Sequence, residues 1–402
     1  MITRRRFGTI WPATLCALGL MGGAAGAQVK EIVVGAPNSL TGGFGEGGRQ
    51  VVLGLELAIN EINAAGGLTA LGGAKLRLVS ADTSSDNPAQ ASSVTRRLIS
   101  QDGAAVLVGA HTSTMTLSAQ IEAEKAEVPI ITTSYADQIV ERGYKYTFKL
   151  PPNSTTLAKQ SAEYLQQMYR EVKKQEIKRV AIFFGTDAAS QAAGKVSSGL
   201  AKEAGQEVVA SGSFPSGLTD PTPVLVPIIQ AKPDVLYLNA FTADVILITR
   251  ALRSVGVKIP ILGSGSGISV KSIPEALGSA ADGIMGSLFW NWDLPIEGVS
   301  SFDALYRKAH PNEPYPPQEA GEGYAIGYLI KSAIEAAGNS DPKKIRDALA
   351  KADVPAILPG RQIRFDEAGL NANGIGILVG WNKGQLRTLW PKEYQATPPE
   401  IP

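Results

Sequence analysis

Residues 105–131 read AVLVGAHTSTMTLSAQIEAEKAEVPII, and three patterns follow one another in that stretch. Ala105 to Val108 is an unbroken apolar run, as in a strand buried on both faces. Gly109-Ala110-His111-Thr112-Ser113-Thr114 is a loop rich in glycine and hydroxyls. Met115 to Ala126 reads as a helix, and Pro129-Ile130-Ile131 opens the next apolar run. Strand, loop, helix and strand in that order are the unit from which a parallel sheet covered on both faces is built.

The same unit extends in both directions. Upstream, Ile32-Val33-Val34-Gly35 is a short apolar run. Val52, Leu55, Ile59 and Ile62 then recur at helical spacing, and Gly66-Gly67 closes the helix. Lys75 to Val79 alternates as a strand, and Pro88 to Gln101 carries Ala91, Val94, Leu98 and Ile99 on one helical side. Downstream the pattern restarts. Strands at Val180–Phe184, Val208–Ala210, Val235–Leu238 and Ile259–Leu262 alternate with helices at Ser190–Ala204, Val224–Gln230 and Val245–Val255. Two α/β lobes of similar size follow, with a crossing at Lys149-Leu150-Pro151-Pro152-Asn153. A second crossing lies between Gly286 and Asp293, straddled by Trp290 and Trp292, which either line a cleft or pack a linker. Helices at Gly323–Ala337 and Pro342–Ala350 must pack on one lobe, and their period does not say which.

The chain has 402 residues, 44% of them hydrophobic and 19% charged, a globular composition with room for two cores. Three of its positive charges form the run Arg4-Arg5-Arg6; without it 35 basic residues face 37 acidic ones. No basic face points to a nucleic-acid partner. The run precedes an apolar stretch from Phe7 to about Met21 that is too short to span a bilayer. The small residues Gly22–Ala27 follow. Residues 1–27 therefore read as a signal peptide cleaved after Ala25-x-Ala27, leaving Gln28 first. Thr3-Arg4-Arg5-x-Phe7 also resembles a twin-arginine signal, an alternative to export of the unfolded chain. The only cysteine, Cys16, falls inside this segment, so the mature chain has no thiol or disulfide. The proline-rich tail 396–402 reads as frayed.

Ligands of open α/β sheets bind beyond the carboxyl ends of strands. Here those ends carry Asn38 to Gly45 with Phe44, the loop of Ser113 and Thr114, and Thr132 to Asp137 with Ser134 and Tyr135. In the second lobe they carry Gly185-Thr186-Asp187, Asn239 to Thr242 with Phe241, and Gly263 to Gly267 with Ser266. Hydroxyls, glycines and helix starts suit a small anion or carboxylate. Ser113 can equally cap the helix after it, and Phe44 and Phe241 can be minor core residues. Gly43-x-Gly45-x-x-Gly48 has the letters of a dinucleotide fingerprint but sits too far past its strand, and Asp82 comes too late. The two histidines, His111 and His310, form no hydrolase constellation, and no His or Cys cluster has metal spacing. No cofactor, metal or catalytic residue is expected.

The runs Gly35-Ala36-Pro37-Asn38-Ser39-Leu40-Thr41-Gly42, Gly54 to Gly67, Asp82 to Pro88, Val128-Pro129-Ile130-Ile131 and Arg253-Ser254-Val255-Gly256 resemble, in order and spacing, the leucine/isoleucine/valine-binding protein family. The resemblance implies a type I periplasmic binding fold, two Rossmann-like lobes with parallel sheets joined by three crossovers near Leu150, Ser287 and Gly374. It places the first lobe at 29–149 plus 287–373 and the second at 150–286 plus 374–395. It implies a non-catalytic periplasmic receptor that passes a small ligand to an ABC transporter permease in the inner membrane, with no membrane span of its own. It implies carboxylate contacts at Ser113, completed by Ser134 and Tyr135, and an aromatic, Phe241, on the closing lobe. The chain departs from the family in the loop Gly263 to Gly267, which lacks the acid that faces an α-ammonium in amino-acid binders. Either Asp187 or Asp293 replaces it, or the ligand has no amine. A branched-chain or related amino acid is the family default; an aromatic or hydroxylated acid or a small amide is the rival, and a ligand sensor acting on a regulatory partner is the other role.

Overall fold

The computed structural model describes residues 30–263, 268–396 and 398–399. The signal segment 1–27 with Cys16, the loop serine Ser266 and most of the tail 396–402 lie outside the described residues.

Five apolar strands form the first sheet: β1 (Glu31–Asn38), β2 (Lys75–Asp82), β3 (Ala104–Val108), β4 (Ile130–Thr132) and β5 (Thr147–Lys149). Their order is β2-β1-β3-β4-β5, with every neighbour parallel. The strands alternate with α1 (Gly45–Ala64), α2 (Pro88–Ser100), α3 (Ser113–Ala126) and the short α4 (Gln138–Glu141). The order reverses between β1 and β3, so the loops after these two strands diverge and leave a crevice at the sheet's carboxyl edge.

The chain then passes through Leu150–Asn153 into α5 (Ser154–Val172) and the second unit. There β6 (Arg179–Gly185), α6 (Ala188–Glu203), β7 (Glu207–Phe214), α7 (Thr222–Ala231), β8 (Val235–Asn239), α8 (Thr242–Ser254), β9 (Ile261–Gly263), α9 (Ser272–Leu277) and β10 (Ile284–Leu288) follow. After β10 it returns to the first unit as α10 (Val299–Ala309), α11 (Gln318–Ala337), α12 (Pro342–Leu349) and the two-residue strands β11 (Val354–Pro355) and β12 (Gln362–Ile363). A last passage leads to β13 (Ile377–Asn382) and β14 (Gln385–Trp390) on the second sheet, whose order is β14-β13-β10-β9-β8-β6-β7.

The second sheet is not wholly parallel, as the family resemblance implied, but mixed. β13 runs antiparallel to both β10 and β14. Only Lys383 and Gly384 separate β13 from β14, both at positive φ, and a two-residue turn of that hand joins antiparallel strands alone.

The placement of α11, open from its period, is settled by packing: it lies along α1. The two backbones approach so closely that a Cβ on Gly54 would sit 1.9 Å from the Ala320 carbonyl oxygen, and one on Gly323 2.1 Å from that of Val51. Val51, Leu55, Ile59 and Ile62 of α1 are buried in the same core, each contributing about 1.5–3 kcal/mol.

The passages between the two sheets are tied together. Lys149 is fully buried at the end of β5, and its Nζ donates to the Tyr135 carbonyl (2.7 Å), the Ala136 carbonyl (3.0 Å) and Asn153 Oδ1 (2.6 Å). Burial lowers its pKa to about 8, against the pull of Asp137 and Glu141. Asn371 Nδ2 donates to the Leu150 carbonyl at 3.2 Å, so the first and third passages run as one bonded strap. Asp137 accepts from Ser154 Oγ (2.6 Å) and from Thr155, holding the first turn of α5.

Candidate functional site

A cavity of about 660 Å³ lies between the two units. One wall is the carboxyl edge of the first sheet, with Phe44, His111 to Thr114 and Tyr135, joined by Gln318 and Glu319 at the start of α11. The opposite wall is a trough between α5 and α6, faced by Leu157, Ala158, Ala162, Ala192, Ala193 and Val196. Its floor is the second sheet at Tyr237, Leu262 and Ser287, with Asn239 at the end of β8. The first wall is polar and the second largely apolar.

The polar wall is built on the loop between β3 and α3. His111 adopts left-handed backbone (φ 49°), a conformation histidine tolerates better than most side chains. That turn presents its carbonyl to Ser134 Oγ, which donates to it at 2.8 Å. Thr116 Oγ1 accepts from the Ala110 N–H (3.0 Å) and lies 2.7 Å from Ser134 Oγ. Thr112 occupies the N-cap of α3 in extended backbone, yet no side chain caps the helix. The first-turn N–H groups of α3 therefore have no intrahelical partner, and the residues at that turn, Ser113 and Thr114, line the cavity. Ser113 is not a cap: its Oγ accepts from the Ala136 N–H (3.2 Å), which leaves its own proton free to donate. Two buried polar atoms of this loop, His111 Nδ1 and Thr112 Oγ1, have no hydrogen-bond partner. Burial pushes the His111 pKa down, against the pull of Glu319, so the imidazole is neutral at pH 7.

Tyr135 also lines the cavity, and its hydroxyl donates to Glu322 Oε1 at 3.3 Å. Glu322 is 1% exposed. Desolvation, reinforced by the nearby charge of Glu319, raises its pKa well above the ordinary value.

The structure brings four of the nine nominated residues, Ser113, Thr114, Tyr135 and Phe44, to this cavity. Ser134 is 1% exposed and stands behind the loop as its brace. Asp187 does not line it. As N-cap of α6 its carboxylate accepts from the Ser190 N–H (2.9 Å) and Ser216 Oγ (2.8 Å); burial pushes its pKa up, but these bonds outweigh that and hold it low. Asp293, the other acid weighed for an ammonium, is committed to the Thr388 N–H (3.0 Å) and Thr388 Oγ1 (2.5 Å) and is 3% exposed. Phe241 is 54% exposed at the start of α8 and does not line the cavity in this conformation. Trp290 belongs to the core. It is fully buried, its Nε1–H donates to the Ile357 carbonyl at 2.9 Å, and Gly321 leaves room for its ring. Ser266 lies outside the described residues.

His111, Thr112, Gln318 and Glu319 line the cavity and were not among the nine. The first two belong to the loop already singled out. The last two precede Gly323, where periodicity starts the helix; Pro317 before an acid in the first turn is the signal that extends it.

A family model described as periplasmic binding protein matches residues 31–385. Among curated proteins, a Leu/Ile/Val-binding protein homolog 8 from Brucella abortus (strain 2308) is 24% identical over 376 residues, covering 91% of this chain and 92% of its own. Among solved structures, the branched-chain amino acid transporter substrate binding protein LivJ from Streptococcus pneumoniae, in complex with isoleucine, superposes with a TM-score of 0.74. It is 24% identical, over 89% of this chain and 98% of that one. A solute binding protein from R. palustris in complex with benzoate gives a TM-score of 0.70 at 20% identity, over 92% and 98%. These relatives are substrate-binding proteins, not enzymes. The fold is that of type I periplasmic binding proteins.

Proposed function

This chain belongs to the periplasmic binding protein family, and we propose that it is the extracytoplasmic receptor of an ABC importer for a small carboxylate with an apolar body, in the branched-chain amino acid class. One observation carries the reading: the uncapped start of α3, with Ser113 and Thr114, opens into a cavity whose far wall is apolar. A carboxylate fits the first, because helix N–H groups and hydroxyl donors stabilise an anion. An aliphatic or aromatic body fits the second, because burying it against Ala158, Ala192 and Ala193 removes apolar area from water.

In this reading the first lobe is residues 29–149 plus 287–373 and the second 150–286 plus 374–395, hinged on the strap that Lys149 and Asn371 tie. The first lobe captures the carboxylate, and the second closes over the body, bringing Phe241 to the ligand. The closed form docks on the permease in the inner membrane. Residues 1–27 direct export and are removed.

A second reading is an aromatic acid without an amine. Two observations favour it: the loop from Gly263 holds no acid, and a related fold holds benzoate. Mass spectrometry of small molecules released by denaturing protein purified from its native periplasm tests both. An amino acid or related carboxylate is expected at near-stoichiometric yield; a sugar or polyamine would reject the proposal.

A further inference from the structure

Among the described residues lining the cavity there is one formally charged side chain, the carboxylate of Glu319; no lysine or arginine reaches it. His111 shares the wall but is neutral at pH 7. Glu319 is half-buried, and among the described residues it has no hydrogen bond or ion pair. An acid in the first turn of a helix is favoured by the helix dipole, and that alone would explain a solvent-facing glutamate. It does not explain one turned into a cavity where closure removes its water. A desolvated carboxylate is costly unless a cation joins it.

The residues around it sharpen the point. Glu322, one turn further along α11, is buried beneath, and the Tyr135 hydroxyl bridges towards it from the cavity wall. Desolvation disfavours a charge on Glu322, and Glu319 is the acid of the pair that lines the cavity. Across the same wall the start of α3 is an anion site. Side by side, these two make a receptor for a zwitterion. The apolar trough of α5 and α6 takes what remains of the molecule.

We infer that the ligand carries a protonated amine and that Glu319, on the first lobe, is the specificity residue that receives it. This rests on the cavity being the ligand site, as proposed above. It moves the ammonium contact from the second lobe, where the family resemblance put it, onto the lobe that also holds the carboxylate. Both charges of the ligand are then satisfied before the lobes close, and an acid lacking the amine meets an unpaired carboxylate.

The test compares matched pairs by calorimetry: the twenty standard amino acids against acids of the same body without the amine, including 4-methylpentanoate for leucine and 3-phenylpropanoate for phenylalanine, with benzoate as an unpaired amine-free acid. The wild-type protein is expected to prefer the amino acid of at least one pair by about tenfold or more, the worth of a hydrogen-bonded charge pair. Glu319→Gln is expected to bring that preference to within about twofold, because the amine contact then loses its charge. Its ligand-free melting temperature should stay within a few degrees of wild type, since Glu319 makes no hydrogen bond or ion pair among the described residues and the lost dipole term is opposed by relief of its repulsion with Glu322. The inference is overturned if the amine-free acid binds as tightly as the amino acid, or if the preference survives in Glu319→Gln. If only amine-free acids bind, the receptor reading stands and the Glu319 assignment falls; if neither set binds, both fall.

Discussion

Ser113 lines the cavity and Glu322 is buried behind Tyr135, and the two answer to different tests. Ser113 Oγ, which accepts from Ala136, still has a proton to donate, so Ser113→Ala should weaken binding of the released ligand by about 1–3 kcal/mol. Calorimetry reads that loss, and unchanged affinity would remove Ser113 from the site. Glu322 is a matter of stability and pH. Its folded-state pKa is raised, first by desolvation and then by Glu319, whereas in the unfolded chain it titrates near 4.5. Its contribution is therefore fully present below that value and is lost as pH rises through the folded pKa. Glu322→Gln keeps the Tyr135 bond without the charge, so its melting temperature should match wild type well below pH 4.5 and exceed it increasingly as pH rises from there towards the folded pKa. An offset constant with pH would refute this account. At this scale the sequence was legible where chemistry and position coincide: Ser113 and Thr114 are hydroxyls at a helix start after a strand. It was illegible where one residue type serves two environments. A tryptophan near a crossing suits a cleft or a core equally, and only the Ile357 carbonyl and the space at Gly321 show that Trp290 has the second role. Asp187 likewise has a sequence position suited to a ligand, yet its two oxygens are taken by Ser190 and Ser216.

Helices were legible from one strong period, because one face is buried and the other wet: α2 was found within a residue of its observed ends, and α1 was found by its period from Val52 onward but begins two turns earlier, at Gly45. The reading missed α5 and α10, and it started α11 late. In α11 nearly every residue from Gln318 to Gly323 is buried, so no polar face marks the start. Glycine carries information here that hydropathy does not. Gly54 and Gly199 are both helical, but a Cβ on Gly54 would strike the Ala320 carbonyl oxygen at 1.9 Å, while one on Gly199 would meet nothing within 4 Å. Alanine is the better helix former by about 0.8–1 kcal/mol, so Gly199→Ala should raise stability by up to that amount. Gly54→Ala should lower it by about 1–3 kcal/mol or more, the cost of overpacking. Urea unfolding of the two variants beside wild type gives both signs in one experiment. A Gly54→Ala variant as stable as wild type or more so would mean that α1 and α11 do not meet backbone to backbone.

For the whole molecule the expected motion is closure of one lobe on the other about the strap of Lys149 and Asn371. Phe241 is exposed and outside the cavity in this conformation; in the proposed mechanism it reaches the ligand on closure. Small-angle scattering should show the radius of gyration falling when ligand saturates the wild type, and falling less in Phe241→Ala at matched occupancy. A profile unchanged by saturating ligand would exclude a closing cleft. The two-lobed plan itself was legible, because strand and helix alternate twice with a proline-bearing break between. The hairpin that makes the second sheet mixed was not read from the sequence, although Lys383-Gly384 is a turn signal of the kind that precedes one. The close contact of α1 with α11 also bears on how the chain is made. A ribosome adding about 5–20 residues per second releases α1, which ends at Ala64, long before α11, which begins at Gln318. For the interval, on the order of tens of seconds at that rate, α1 has no α11 to cover it, and the groove at Gly54 is empty. The lobe nearest the start of the gene is thus the one that cannot finish early, and the nascent chain stays without a complete first core until most of its length has been translated.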